Sequence, residues 1–228
     1  MSAGLQREPD PTRTLYERWA PCYPPVAHNP LMRAEEAAMA RLWPNLCGKR
    51  VLDLACGSGR YARRLSHEGA ELVVAADFSV AMLKQVELTA TVRVCADMMC
   101  LPFAEQSFDA IICGLAVGHA ESLQDWMSGM HRILRAGGQL LYSDFHPQAA
   151  EAGMTRSFKD TRGISCTLPH HIHELHAHRR AAARTGFRLE RIEEVRIGRE
   201  LREAFPGSES FYRQWQGLPI VQVIRACK

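Results

Sequence analysis

No CxxC pair, no HExxH string, no run of basic residues and no apolar stretch long enough to cross a bilayer occurs in this chain. Each gap removes a function class. Without paired CxxC or HExxH there is no sequence case for a structural zinc site or a zinc peptidase; HELH, at His173 to His176, is one residue short of that pattern. The metal expectation is none. Basic residues number 28 against 25 acidic, scattered along the chain, so neither nucleic acid nor a membrane surface is expected as a partner. The first residues, MSAGLQREPDPTR, are polar throughout, which reads as no signal peptide.

What is present is an ordinary globular composition, 46% apolar and 23% charged over 228 residues, enough for a single core with a small cap. Eight cysteines are too few for a disulfide scaffold of this length. Cys56, Cys95, Cys100 and Cys113 sit in or beside apolar runs and read as small core residues in a reducing, cytoplasmic compartment.

From residue 50 onward, short β-branched runs alternate with helical periodicity: RVLDLA, GRYARRLSHEG, ELVVAA, SVAMLKQVELTA, VRVCA. This alternation predicts a parallel sheet wound with helices. SFDAIICG leads to a helix with Leu123, Trp126, Met130, Ile133 and Leu134 on one face, stopped by Gly137 and Gly138. QLLYSDF is the next strand, followed by a helix near residues 171–185. FRLERIEEVRI and PIVQVIRAC are two last strands with only short helical stretches between them, broken at Pro206 and Gly207, so they are expected to pair antiparallel. Outside this core lie residues 1–45, a helical N-terminal lid, with insertions at about 145–170 and 197–218. The main domain is expected to span 46–228, and these three segments are expected to cover the carboxyl ends of its strands.

VLDLACGSGRYARRL is the most informative stretch, a strand bearing Asp53, a turn with Gly57 and Gly59, and a helix from Arg60. Glycines allow a tight turn and close approach of the backbone to a ligand. Asp77 ends the next strand, about twenty residues on, where a carboxylate accepts both hydroxyls of a ribose. A helix-capping role for Asp77 is less favoured because Ser79 is available for it. GSGRYA also fits the nicotinamide fingerprint GxGxxA, so an NAD(P)-dependent oxidoreductase is the alternative enzyme. Against it stand Asp53 near the glycines, Asp97 within reach of an adenine amino group, and no tyrosine followed four residues later by lysine. A non-catalytic nucleotide-binding module is the third reading.

VLDLACGSGRYA, AADFSVAML, ADMMCLPF, SFDAIICGLAVGHA and LRAGGQLLYSDF together resemble class I S-adenosylmethionine-dependent methyltransferases, particularly the branch of ubiquinone/menaquinone-biosynthesis and malonyl-carrier-protein methyltransferases. The resemblance covers about residues 48 to 146. It implies a Rossmann-like, doubly wound α/β fold whose seven-stranded sheet has the order 3-2-1-4-5-7-6, last strand antiparallel. It also implies S-adenosyl-L-methionine as cofactor, with the methionine part against Asp53, Gly57 and Gly59 and the ribose on Asp77. Phe78 would lie against adenine, Asp97 and Met98 would read its edge, and Gly114 with Leu115 would meet the methionine amino group. In YERWAPCY, similar to the N-terminal lid of related enzymes, Tyr16 and Tyr23 would close over the cofactor. Ala55 stands where the family commonly has the first of three alternating glycines.

A sulfonium methyl is already electrophilic, so the protein needs mainly to align a nucleophile and exclude water. For a protic acceptor a base would help, and the candidates are His119 and His146, the latter with Asp144 two residues earlier on an extended strand. His170, His171, His173, His176 and His178 are expected to belong to a helix leading into the next strand, with His170 or His171 near the substrate. Arg156, Lys159 or Arg162 would pair with a substrate carboxylate. CGLAV replaces the Asn/Asp-Pro-Pro-aromatic motif of DNA-adenine methyltransferases, and no acidic metal set of the catechol type is found. The expected acceptor is a small molecule, free or as a carrier-bound acyl group, methylated at oxygen in preference to nitrogen or carbon.

Overall fold

A computed structural model describes residues 11–89, 91–204 and 209–228. The polar first ten residues and the break at Pro206 and Gly207 lie outside these. In chain order the elements are α1 (Pro11–Trp19), α2 (Pro30–Leu42), β1 (Arg50–Leu54), α3 (Arg60–His67), β2 (Leu72–Asp77), α4 (Val80–Leu83), β3 (Thr91–Cys95), β4 (Phe108–Cys113), α5 (Leu123–Ile133) and β5 (Leu134–Phe145). There follow α6 (Pro147–Glu151), β6 (Ser157–Lys159), β7 (Ser165–Thr167), α7 (Leu175–Thr185), β8 (Arg188–Arg196), α8 (Arg199–Ala204), α9 (Glu209–Trp215) and β9 (Pro219–Cys227).

Seven strands form one sheet in the order β3-β2-β1-β4-β5-β9-β8, and β6 pairs β7 in a separate hairpin. Counting the large sheet alone, this is the 3-2-1-4-5-7-6 order. β1 to β5 run parallel, and β9 is antiparallel to both β5 and β8. Alternation along the strands sends successive side chains to opposite faces. Val51, Val73, Ala75, Ile112 and Leu141 join α2 and α3 in one core. Leu52, Leu54, Val74, Ile111 and Leu140 join α5 and α7 in another. The sheet is therefore the middle of three layers, and its strands read as near-continuous apolar runs because both faces are covered.

Several local expectations are corrected. Helix α5 ends at Ile133, where Leu134 turns extended, four residues before Gly137. Gly137, at φ +73°, instead belongs to an irregularity in β5, where the pairing shifts between Phe108/Leu134 and Ala110/Gln139. SVAMLKQVELTA gives one short turn of helix, α4, capped by Ser79, whose Oγ accepts from Met82 N at 3.3 Å. Cys95 and Cys100 are exposed, while Cys56 and Cys113 are buried. β3 is an edge strand and is largely exposed, a position that the apolar composition of VRVCA does not reveal.

The N-terminal segment divides in two. Helix α2, started by the Asn29 side chain accepting from Met32 N at 2.9 Å, packs on β9 and β8 as a layer of the core. Residues 11–28 instead pass over the carboxyl ends of the strands. There Trp19 stacks on Phe158 of the β6–β7 hairpin, ring centroids 4.5 Å apart, and Arg18 Nε donates to Asp160 Oδ2 at 2.7 Å. Among the described residues no helix is long and apolar enough to cross a membrane.

Candidate active site

Between that cover and the carboxyl ends of β1, β2, β4 and β5 lies a cavity of about 830 Å³. Its floor is the turn after β1. Ala55 there has φ +52° and Gly57 +54°. A left-handed conformation costs an alanine about 1–2 kcal/mol, which is the consequence of an alanine standing in a glycine-preferring position. Leu115, after β4, is strained in the same sense at φ +54°, and its N–H donates to Ser143 Oγ at 2.8 Å. Strain of this kind persists where surrounding contacts over-determine the backbone.

Asp77, at the end of β2, is the best-defined polar group in the wall. Its Oδ2 accepts from Gly57 N and its Oδ1 from Ser79 N, both at 2.9 Å, so the carboxylate is fixed in orientation while retaining lone pairs for a ligand. Burial pushes its pKa up to about 6 against those two backbone donors. Phe78, Ala96, Asp97, Met98 and Met99 continue the wall beside it. Asp97 braces this loop through Oδ1, which accepts from Met99 N at 2.8 Å.

Gly114, Leu115, Arg60 and Tyr23 also line the cavity. The Tyr23 ring lies 3.5 Å from where a Cβ on Gly57 would stand. Arg60 Nη2 donates to Glu35 Oε2 at 2.7 Å, while its buried Nη1 makes no hydrogen bond and lies 3.6 Å from Glu36. Glu35 itself is fully buried on α2 and accepts from Tyr61 OH at 2.7 Å and Ser143 OH at 2.8 Å. One carboxylate thus ties α2, α3, β5 and, through Ser143, the Leu115 loop. Sequence reading missed Glu35 and Arg60. The signal was available for Glu35: Met32, Glu35, Met39 and Leu42 fall on one helical face.

Residues 52–142 match the family described as methyltransferase domain. Over that stretch the chain is similar to a methyltransferase domain. Among curated relatives, malonyl-[acyl-carrier protein] O-methyltransferase of Enterobacter lignolyticus is 39% identical over 131 residues, 56% of this chain and 51% of that protein. Demethylmenaquinone methyltransferase of Corynebacterium urealyticum is 29% identical over 151 residues, 63% of each chain. The chain therefore spans between half and two thirds of the length of these relatives. Among solved structures, an S-adenosylmethionine dependent methyltransferase from Mesorhizobium loti superposes with a TM-score of 0.70 at 24% identity, covering 86% of this chain and 98% of that one.

Of the residues singled out from sequence, Tyr16, Tyr23, Gly57, Asp77, Phe78, Asp97, Met98, Gly114, Leu115 and His119 line the cavity. Asp53, Gly59, Asp144 and His146 do not. Asp53 is 1% exposed and its Oδ2 accepts from Ala62 N at 2.7 Å, so it satisfies a free N–H in the first turn of α3. Burial raises its pKa to about 7 against that bond. Gly59 caps α3 in the left-handed region, and a Cβ there would crowd Val86 at 3.1 Å.

The expected Asp144–His146 pair is not formed. β5 ends at Phe145, and His146, still extended, becomes the N-cap of α6 with its ring engaged elsewhere. His146 Nδ1 accepts from Gln148 N at 3.2 Å and its Nε2 lies 3.1 Å from Glu194 on β8. Asp144 Oδ1 accepts from Phe145 N at 2.8 Å, and burial raises this acid to about 7.

His119 does reach the cavity, with Nε2 2.9 Å from the Tyr16 hydroxyl. Burial and the nearby Arg156 charge push the His119 pKa down to about 3. In the histidine-rich stretch, α7 starts only at Leu175, so His173 precedes it. Buried His173 and His178 serve the core: Gln222 Nε2 donates to His173 O at 2.9 Å and to His178 Nε2 at 3.1 Å, and Tyr142 OH lies 3.1 Å from His178 Nδ1. His171 lines the cavity, its N–H donating to Gly118 O at 2.6 Å. No cluster of three His, Cys, Asp or Glu suited to a metal occurs among the described residues.

Proposed function

We propose that this chain transfers a methyl group from S-adenosylmethionine to an oxygen of a small organic acceptor. The observation that carries the reading is that one cavity is lined both by an oriented carboxylate, Asp77, and by the Arg60 guanidinium. A nucleoside joined to an α-amino acid has the complementary pattern. Asp77 would accept the ribose hydroxyls, Phe78 and Met98 would flank adenine with Asp97 at its edge, Arg60 Nη1 would meet the methionine carboxylate, and the Gly114 carbonyl its amino group. Tyr16 and Tyr23 would cover it. Asp53 and Gly59 act one step removed, by fixing the turn and the start of α3.

The alternative dinucleotide is disfavoured by Asp53. A pyrophosphate seats on free N–H groups at a helix N-terminus, and at α3 the Ala62 N–H is taken by the Asp53 carboxylate, whose charge would repel phosphate.

When bound, S-adenosylmethionine supplies a methyl group made electrophilic by its sulfonium. The chain then has to place the acceptor oxygen behind that methyl and keep water out, the task of α1 and the β6–β7 hairpin as a cap. His119, with its Nε2 held by Tyr16, is a positioning group for Tyr16 in this reading. His146 and Asp144 have no place at the transfer point. Oxygen is favoured by the O-methyltransferase among the relatives and by a lining of Arg156, Tyr16 and His119, which suits an oxygen acceptor better than a cationic amine. The acceptor is a free small molecule or an acyl group on a carrier, and eight unpaired cysteines fit a cytoplasmic setting.

Incubation with methyl-labelled S-adenosylmethionine and a panel of hydroxyl and carboxyl acceptors is expected to put label into an extractable product, with S-adenosylhomocysteine formed in equal amount. Binding of S-adenosylhomocysteine with no transfer to any acceptor would instead mark a non-catalytic binding module.

A further inference from the structure

Arg156 is held differently from Arg60 and Arg18. It stands immediately before β6, and Leu168 N, just after β7, donates to its carbonyl at 2.8 Å, so the hairpin fixes its backbone. The hairpin is in turn fixed to the N-terminal segment by the Trp19–Phe158 stack and the Arg18–Asp160 pair. Arg60 has Glu35 as its ion-pair partner and Arg18 has Asp160, but among the described residues Arg156 has no acidic group within 4.0 Å. Its Nη1 is buried without a hydrogen-bond partner, and the side chain lines the cavity.

The groups that face it are neutral or remote. Tyr16, His119 and His170 feel its charge. Asp144, the acid that also feels it, packs against Gly118 and is absent from the cavity wall. A buried guanidinium without an acceptor is costly, and the geometry of its fork matches a carboxylate in two parallel hydrogen bonds. A doubly charged phosphate asks for more cations than this wall offers, since the other cavity guanidinium, Arg60, is already paired with Glu35. Beyond Arg156 the wall is apolar, with Leu31, Phe145, Met154, Leu168 and Phe211.

We propose that Arg156 is the receptor for a carboxylate on the methyl acceptor, so that the acceptor is a carboxylic acid with an apolar body. This assignment rests on the methyl-transfer reading for the word acceptor, while the anion subsite stands on Arg156 alone.

The test uses octanoate and phenylacetate beside their primary amides, with binding followed by ligand-observed NMR on the full chain and S-adenosylhomocysteine affinity measured in parallel. Wild type should retain the acids and discriminate against the amides. Arg156→Met should weaken acid binding by on the order of tenfold or more, and Arg156→Lys should restore part of it. Equal binding of acids and amides, retained acid binding in a folded Arg156→Met, or no acid binding by wild type overturns the proposal; should Arg156→Met not fold, the acid-amide comparison in wild type decides. Failure of wild type to bind S-adenosylhomocysteine while it still selects acids through Arg156 sinks the methyl-transfer reading and leaves the anion subsite standing.

Discussion

Asp77→Ala is expected to weaken S-adenosylhomocysteine binding by on the order of a hundredfold or more, with the chain still folded. Each hydrogen bond from a ribose hydroxyl to a carboxylate is charge-assisted and contributes about 1.5–3 kcal/mol, and two are lost together. The variant also frees Gly57 N and Ser79 N, which now end on Asp77, so the turn after β1 loses its fixed shape. Asp77→Asn separates the two contributions. Its side-chain oxygen keeps one of those backbone donors, yet its amide cannot accept from both ribose hydroxyls, so affinity should fall while thermal stability changes little. Isothermal titration of both variants checks this, and wild-type affinity in Asp77→Ala would remove the ribose assignment.

Glu35→Ala should have the largest effect on stability. Glu35 is fully buried and is the acceptor for Arg60, Tyr61 and Ser143 together. Removing one partner of a buried pair leaves the other charge uncompensated, at a cost of about 3–5 kcal/mol. For a chain of this size each kcal/mol lowers Tm by about 2–4 °C, so a fall on the order of 10 °C is expected by calorimetry. Cofactor affinity should drop as well, because Ser143 orients the Leu115 N–H and Arg60 loses the carboxylate that aims it. A Tm within about 2 °C of wild type, less than 1 kcal/mol by the same scaling, would show that the network carries little.

The fold was legible because its strands are buried on both faces, and runs such as VLDLA and ELVVAA have few other solutions. β9 was read to the residue from PIVQVIRAC. What stayed hidden depends on neighbours distant in sequence. The exposure of Cys95 follows from β3 lying at the sheet edge, and the β6–β7 hairpin is held by Trp19 and Arg18, about 140 residues away. The cofactor half of the cavity was legible for a related reason: Gly57, Asp77, Asp97 and Gly114 each follow or end a strand, so topology alone gathers them. The acceptor half comes from the cap, where three basic residues were equivalent in sequence. Arg156 alone of these lines the cavity; Arg162 lies near Asp160, at 3.5 Å, and Lys159 sits in the hairpin. Asp144 and His146 misled because each has other partners: His146 caps α6 and reaches Glu194 on β8, and Asp144 accepts from the Phe145 N–H.

The central claim is that this cavity takes an adenosyl amino acid. The most direct measurement is calorimetric titration of the full chain with S-adenosylhomocysteine, with NAD and NADP run alongside. Saturable binding of S-adenosylhomocysteine with no response to either dinucleotide is the predicted result. Binding of a dinucleotide in preference to S-adenosylhomocysteine would contradict the account and turn the search toward hydride transfer.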